Sequence, residues 1–161
     1  MSDLFFGINM QKLLRLGVLD PGRLPQAHDL EQHKLSSEEH LFCRLWSSDM
    51  MRSQIFGKDD PVCMQGQPVV DAFILFQGQA QARCGDVQFQ LGPGAVIGLA
   101  EGIAGKPYRW TVHADGILHT RSIPIRDAVT DIRRAHEGLR SICDLTVSRI
   151  MALNQKGHLS S

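Results

Sequence analysis

The sequence predicts a mainly β domain, a roll of short strands with helices on both flanks. Three observations predict it. Glycine and proline recur from Ile55 onward, at Gly57, Pro61, Gly66, Pro68, Gly78, Gly85, Gly92, Pro93, Gly94 and Gly98. Turn signals this frequent between short apolar runs mark an all-β roll, barrel or sandwich. The runs themselves have strand character. Helical periodicity is confined to the two ends of the chain.

The elements follow in order. Residues 4–16 carry Leu4, Phe5, Phe6, Ile8, Met10, Leu13, Leu14 and Leu16 at helical spacing, and Asp20-Pro21-Gly22 closes the segment with a turn. The run lacks a basic leader and a small-x-small cleavage site, so it is not a signal peptide. It is too short and interrupted to span a bilayer. It reads as a packing helix, the alternative being a helix that docks a partner or lies on a membrane surface. Residues 20–35 are polar and read as a linker. Ser36 and Glu39 fit a capping box, in which hydroxyl and carboxylate satisfy each other's orphan amides. A second helix is expected from Ser36 to about Gln54, with Leu41, Leu45, Trp46 and Met50 apolar.

Strands are expected over Val62–Met64, Ala72–Phe76, Gln79–Arg83, Val87–Leu91 and Ala95–Ile97, then Trp110–Ala114 and Ile117–Ile125. Val87-Gln88-Phe89-Gln90-Leu91 alternates, which places one face inside and one in water. Phe73-Ile74-Leu75-Phe76 is continuously apolar, as in a strand covered on both sides. Arg126–Ala135 returns to helical spacing, Gly138 breaks it, and Leu139–Leu153 forms a last helix. The resulting organisation is one domain: residues 1–54 helical, 55–126 the roll, 127–154 the C-terminal helices.

Composition narrows the function. Lys+Arg and Asp+Glu are equal at 17 each, so the formal net charge is zero. A nucleic-acid binder usually carries a basic face. The densest basic cluster, Arg121, Arg126, Arg133 and Arg134, is interrupted by Asp127 and Asp131 and reads as a solvated face. Cys43, Cys63, Cys84 and Cys143 lie far apart with no zinc-ligand spacing, as in a cytoplasmic protein with free thiols. His113 and His119 flank the Asp115-Gly116 turn and could face each other across a hairpin, but the HxH and downstream carboxylate of a roll-type metal enzyme are missing. No nucleophile–base motif and no phosphate-cradling glycine loop of the nucleotide-hydrolase type is present. The expectation is therefore a protein that is not an enzyme, with no metal and no cofactor.

Three stretches carry a resemblance. They are Phe56–Gln67, Asp71–Gly78, and Leu91–Gly98 followed by a short helical segment and Thr111-Val112-His113-Ala114. Over residues 55–153 the chain resembles the cyclic-nucleotide-binding domains of catabolite activator proteins, protein kinase A regulatory subunits and nucleotide-gated channels. The resemblance implies a β-roll of the double-stranded β-helix or jelly-roll type, with N-terminal helices and a C-terminal helix pair. It implies turn-closing roles for Gly66, Gly78 and Gly94. It also implies a phosphate-binding cassette, in which helix amides face the cyclic phosphate, a glutamate after the glycine holds the ribose and an arginine about ten residues later pairs the phosphate.

The cassette-like stretch departs from that pattern. After Gly98 stands Leu99 where the glutamate would be, then Ala100 and Glu101; Tyr108 stands in the arginine position, followed by Arg109 and Trp110. A one-residue gap would bring Arg109 into register, with Glu101 reaching from the short helix. Without that shift, Leu99, Tyr108 and Trp110 fill the space. The expected function is a regulatory sensor module with a degenerate pocket that does not bind cyclic AMP or cyclic GMP in the usual way, its ligand then being another anion. The alternative is a protein-interaction scaffold without a small-molecule ligand. In the relatives the last helix carries a dimer contact. Here Leu139, Cys143, Thr146, Ile150 and Leu153 form a seam suited to a homodimer, or to packing on the chain's own roll. The N-terminal segment is the other candidate partner surface. The chain ends too soon after this helix for a DNA-reading module, so no nucleic-acid partner and no membrane span are expected.

Overall fold

The computed structural model describes residues 6–12, 39, 45, 50–135 and 137–159. Among the described residues, nine strands precede or surround a short helix and two helices follow, beside the helical residues at 10–12, 39 and 45. The strands are β1 (Phe6–Gly7), β2 (Arg52–Phe56), β3 (Pro61–Cys63), β4 (Asp71–Gln77), β5 (Ala80–Cys84), β6 (Val87–Leu91), β7 (Ala95–Ile97), β8 (Thr111–Ala114) and β9 (Leu118–Pro124). The helices are α1 (Leu99–Ile103), α2 (Ile125–Arg134) and α3 (Glu137–Leu159). All pairing is antiparallel, in two sheets ordered β1-β7-β4-β9-β2 and β3-β8-β5-β6.

Two apolar clusters hold the layers together. Phe73, Leu75, Ala80, Ala82, Leu91, Ile97, Val112 and Leu118 fill the space between the sheets. Ala72, Ile74, Val96 and Ile123 point from the five-stranded sheet toward the helices, where they meet Leu99, Ala128, Ile132, Cys143, Val147 and Ile150. Strand β4 supplies both clusters by its alternation. That explains why Phe73-Ile74-Leu75 is apolar without a break. Strand β6 instead buries Leu91, half-buries Val87 and Phe89, and exposes Gln88 and Gln90, as its alternation predicts.

The tight β4–β5 turn depends on Gly78. Its φ is 102°, and a β-carbon there would run into the Ile117 carbonyl. A side chain at that position meets both a disfavoured backbone and a backbone wall.

The C-terminal helices are placed by their apolar stripes. Asp127 in the first turn of α2 and Arg133 and Arg134 in its last complement the helix dipole. On α3, Cys143, Val147 and Ile150 are buried at the steps of one helical face. That face packs on the chain's own sheet and on α1 and α2. Of the proposed dimer seam, Cys143 and Ile150 therefore belong to the chain's own core, and Thr146 is half-buried. The side chains of Leu139 and Leu153 lie outside the described residues.

Four expectations are corrected. Gly138 does not break the helical segments: it lies in the first turn of α3, and the backbone leaves the helical conformation at Ala135 instead. Residues 52–54 do not end a helix: Arg52–Phe56 form β2, an edge strand paired with β9 from Arg52↔Ser122 to Phe56↔Leu118. Phe6–Gly7 are not helical either. They add a two-residue strand to β7, and Met10–Lys12 alone of the described part of that run are helical. His113 and His119 do not face each other across a hairpin, because β8 and β9 lie in different sheets. Ser36 of the capping box, Cys43 and residues 20–35 lie outside the described residues. Glu39 is helical and buried, and its carboxylate takes an ion pair from Lys12 Nζ at 3.1 Å. Among the described residues no helix is long and apolar enough to cross a membrane.

Candidate ligand-binding site

The cassette-like stretch begins where β7 hands over to α1. Gly98 makes the handover in the left-handed region, at φ 85°. Leu99 and Ala100 then bury themselves on the helix side of the sheet, against the cluster that holds Ala128 and Ile132. Leu99 is thus a core residue, facing away from the interior of the roll.

Tyr108 does the opposite. It is 7% exposed and belongs to the cluster between the sheets. Its hydroxyl donates to the Asp71 carbonyl at 2.6 Å. Its ring lies against Gly98, where an added β-carbon would meet Cε1 at 2.7 Å. Burial and the neighbouring Cys63 push its phenol up to about 12, so it stays neutral at physiological pH. Trp110 is buried in the same cluster and stacks edge-on against Phe89, with ring centroids 5.4 Å apart. Arg109, between these two inward residues, is half-buried.

Glu101, in the first turn of α1, is 3% exposed. Its Oε2 accepts the Arg109 amide at 3.5 Å, a long contact. Desolvation raises its carboxyl above the ordinary range; its own amide, the Arg109 amide and the Arg109 charge pull the other way. Its proximity, after burial, helps push the Cys63 thiol up to about 12. That thiol donates to the Trp110 carbonyl at 3.3 Å. A thiol so buried and so weakly acidic is a packing group rather than a nucleophile.

The loop between α1 and β8 is stitched down. Lys106 N–H donates to the Glu101 carbonyl, Tyr108 N–H to the Gln67 carbonyl, and Gly66 N–H to the Tyr108 carbonyl, each at 2.9 Å. This locks the loop to the β3–β4 turn and leaves an open hollow of about 330 Å³ at the mouth of the roll, floored by both loops and reached by Met151 of α3.

The structure thus brings Gly98, Glu101, Tyr108, Arg109 and Trp110 together at one end of the roll and sends Leu99 and Ala100 elsewhere. Three participants escaped the sequence reading. Asp71 enters only through its backbone carbonyl, which no side-chain pattern announces. Lys106 and Gln65 sit in loops whose polar residues look like any solvated turn. Among the described residues no group of three metal-ligating side chains converges.

No protein-family model matches the chain, and no curated protein matches it. Its fold, in contrast, is matched by solved structures. A structure described as Sp-2Cl-cAMPS bound to PKAR CBD2 aligns over 92% of this chain and 88% of its own, at 17% identity and a TM-score of 0.59. Cyclic AMP-bound PfPKA-R (141–441) aligns over 92% of this chain and 46% of its own, at 16% identity and a TM-score of 0.58. The EAL enzyme Bd1971, in a form with cyclic AMP and cyclic di-GMP bound, aligns over 66% of this chain at 16% identity and a TM-score of 0.57. The chain spans only 30% of that enzyme's length. At these identities the likeness establishes architecture: the chain has the β-roll fold of cyclic-nucleotide-binding domains.

Proposed function

We propose that this chain is a non-enzymatic regulatory module on the cyclic-nucleotide-binding fold whose cradle is closed by its own side chains, so that it does not take cyclic AMP or cyclic GMP in the usual way. One observation carries the reading. The Tyr108 ring abuts Gly98 and is anchored by its hydroxyl to the Asp71 carbonyl. In the resemblance, an arginine at that place would pair the phosphate. The position of the ribose-holding glutamate is taken by Leu99, which is buried on the far side of the sheet. A hydrogen bond to a charged group is worth roughly 1.5–3 kcal/mol. Two missing ones weaken binding by roughly a hundredfold to ten-thousandfold.

Isothermal titration calorimetry with cyclic AMP and cyclic GMP tests this. The expected result is no saturable heat with either nucleotide at about 1 mM, the concentration of a −4 kcal/mol ligand. Stoichiometric micromolar binding of either one overturns the reading.

A protein-interaction module is the second reading. It is supported by Ile55 and Ile117, 66% and 69% exposed, at the β2 edge. Ile55 pairs with His119, and Ile117 lies in the bend that leads into β9, beside the Phe56↔Leu118 pair. A melting screen separates the two: a sensor shifts with some small ligand and a scaffold shifts with none. Self-association through α3, if it occurs, would use its outward face, where Leu145 is 71% exposed. Light scattering tests that contact. The free thiols of Cys63, Cys84 and Cys143 support a reducing, cytoplasmic setting.

A further inference from the structure

We infer that strand β6 is a surface through which two copies of this chain associate, edge to edge, into one continuous sheet about a two-fold axis. Among the described residues the sheet edges are β1 and β2 in one sheet and β3 and β6 in the other. An unpaired edge offers free backbone donors and acceptors to any other strand, and proteins blunt such edges with shortness, charge, proline or a bulge. Strand β1 is two residues long. Strand β2 opens on the charged Arg52. Strand β3 starts with Pro61, and its register shifts between Pro61 and Cys63. Strand β6 has none of these devices. Val87-Gln88-Phe89-Gln90-Leu91 is uncharged, free of proline and unbroken in register along β5, from Cys84↔Val87 to Ala80↔Leu91.

The residue pattern selects the occupant. Outward from Phe89 the strand reads Gln then aliphatic in both directions. A two-fold axis through Phe89 runs the second copy antiparallel, so Phe89 meets Phe89, Gln88 meets Gln90 and Val87 meets Leu91. Residues paired in this register lie on the same sheet face. On the outer face Gln88 and Gln90 are exposed, and they meet twice, once on each side of the axis. Gln88 already lies along the sheet: its Nε2 donates to Gln81 Oε1 at 3.2 Å, which leaves its own side-chain oxygen to accept from Gln90 of the second copy. On the inner face Val87 and Phe89 are half-buried at the rim of the cluster between the sheets, where Phe89 packs edge-on against Trp110. The second copy covers the remainder of both, and an aromatic pair across an antiparallel ladder is a favoured one.

The strand ends agree in charge. Asp86, just before β6, comes opposite Gly92 of the second copy, so the two acids sit at opposite ends of the paired strands. An unrelated strand could use the same backbone groups but would leave the two-way symmetry of the side chains unused. The contact involves neither α3 nor the cradle, so it stands whether or not a ligand binds.

Five residues a side make a small interface, so the dissociation constant is expected on the order of 0.1–1 mM. Sedimentation equilibrium of the full chain from about 10 µM to about 2 mM should show a reversible monomer–dimer equilibrium. Amide NMR spectra over the same dilution should shift at Val87–Leu91. The double variant Gln88→Lys/Gln90→Lys sets like charges opposite each other at both outer pairs and should weaken the dimer at least about tenfold. Gln88→Glu/Gln90→Glu should do the same, and mixing the two variants should restore association as a heterodimer. Both side chains are exposed, so the fold should survive, as circular dichroism checks. A chain that stays monomeric at about 2 mM overturns the proposal. So do dilution shifts confined to α3 around Leu145 or to β2, a dimer that neither charged variant weakens, or a mixture of folded variants no tighter than each alone. The dilution shifts are read on the unaltered chain and decide the matter by themselves if a variant misfolds.

Discussion

Substitution of Gly98 by alanine asks directly whether Tyr108 fills the cradle. The new β-carbon faces two obstacles. The backbone sits at φ 85°, where an L-residue costs about 1–2 kcal/mol. The methyl also lands 2.7 Å from Tyr108 Cε1 and 3.2 Å from the Asp71 carbonyl oxygen. The ring cannot simply swing away, because its hydroxyl is tied to that same carbonyl. Overpacking of this kind costs about 1–3 kcal/mol. Gly98→Ala should therefore destabilise by roughly 2–5 kcal/mol in all. Tyr108→Leu removes the ring and with it most of the steric part. In that background Gly98→Ala should cost only the backbone part, roughly 1–2 kcal/mol. A double-mutant cycle by urea unfolding, read through tryptophan fluorescence, then gives a coupling of about 1–3 kcal/mol. Additive costs in the cycle would mean that the ring does not occupy the space beside Gly98, and the closed-cradle argument would fail with it.

Three further outcomes follow from single contacts. Lys12→Ala removes the 3.1 Å Lys12 Nζ contact from the buried Glu39 carboxylate and should cost about 1–3 kcal/mol; a change below 0.5 kcal/mol, roughly the range of neutral surface substitutions, contradicts a stabilising role for that contact. Cys63 should resist a thiol reagent at pH 8 in the folded protein and react on unfolding, because its thiol is pushed up to about 12; fast labelling while folded refutes this, as resolved by mass spectrometry of the labelled peptide. Glu101 has a folded-state pKa raised mainly by burial, so the folded form holds its proton more tightly than the unfolded form. Stability should then fall as pH rises from the ordinary carboxylate range through the raised value and level off above it. Glu101→Gln should flatten that slope while keeping the acceptor for the Arg109 amide; an unchanged slope in the denaturation profile refutes the assignment.

Much of the roll was legible because its strands carry burial in their composition. Strand β4 touches two cores and is apolar throughout, β6 alternates, and glycines at 66, 78 and 94 adopt positive φ where turns close. Strand β2 was not legible for the converse reason. Four of its five residues are exposed, so Arg52-Ser53-Gln54-Ile55 carries no alternation, while the apolar spacing of Leu45, Trp46 and Met50 just before it suggested that a helix continued. Strand β1 is two residues long and lies inside an apolar run of helical spacing. No periodicity argument can find so short a strand; only its pairing with Val96 and Ala95 defines it.

The candidate site divides along the same line. That Tyr108 occupies the arginine position was visible in the order of residues after Gly98. What Tyr108 does there depends on a backbone carbonyl 37 positions earlier and on the inter-sheet cluster that takes both Tyr108 and Trp110. Leu99 shows the other half of the difference. A leucine beside Gly98 could equally have plugged the roll, but helix α1 turns it toward Ala128 and Ile132. One aromatic side chain, with its ring against Gly98 and its hydroxyl on the Asp71 carbonyl, occupies this place. Glu101 and Arg109 are left beside it, with Arg109 half-buried and lining the mouth of the roll and not its interior. The exposed part of the stretch is Ala104 through Pro107, and Arg109 follows it half-buried, next to the inward-packed Tyr108 and Trp110.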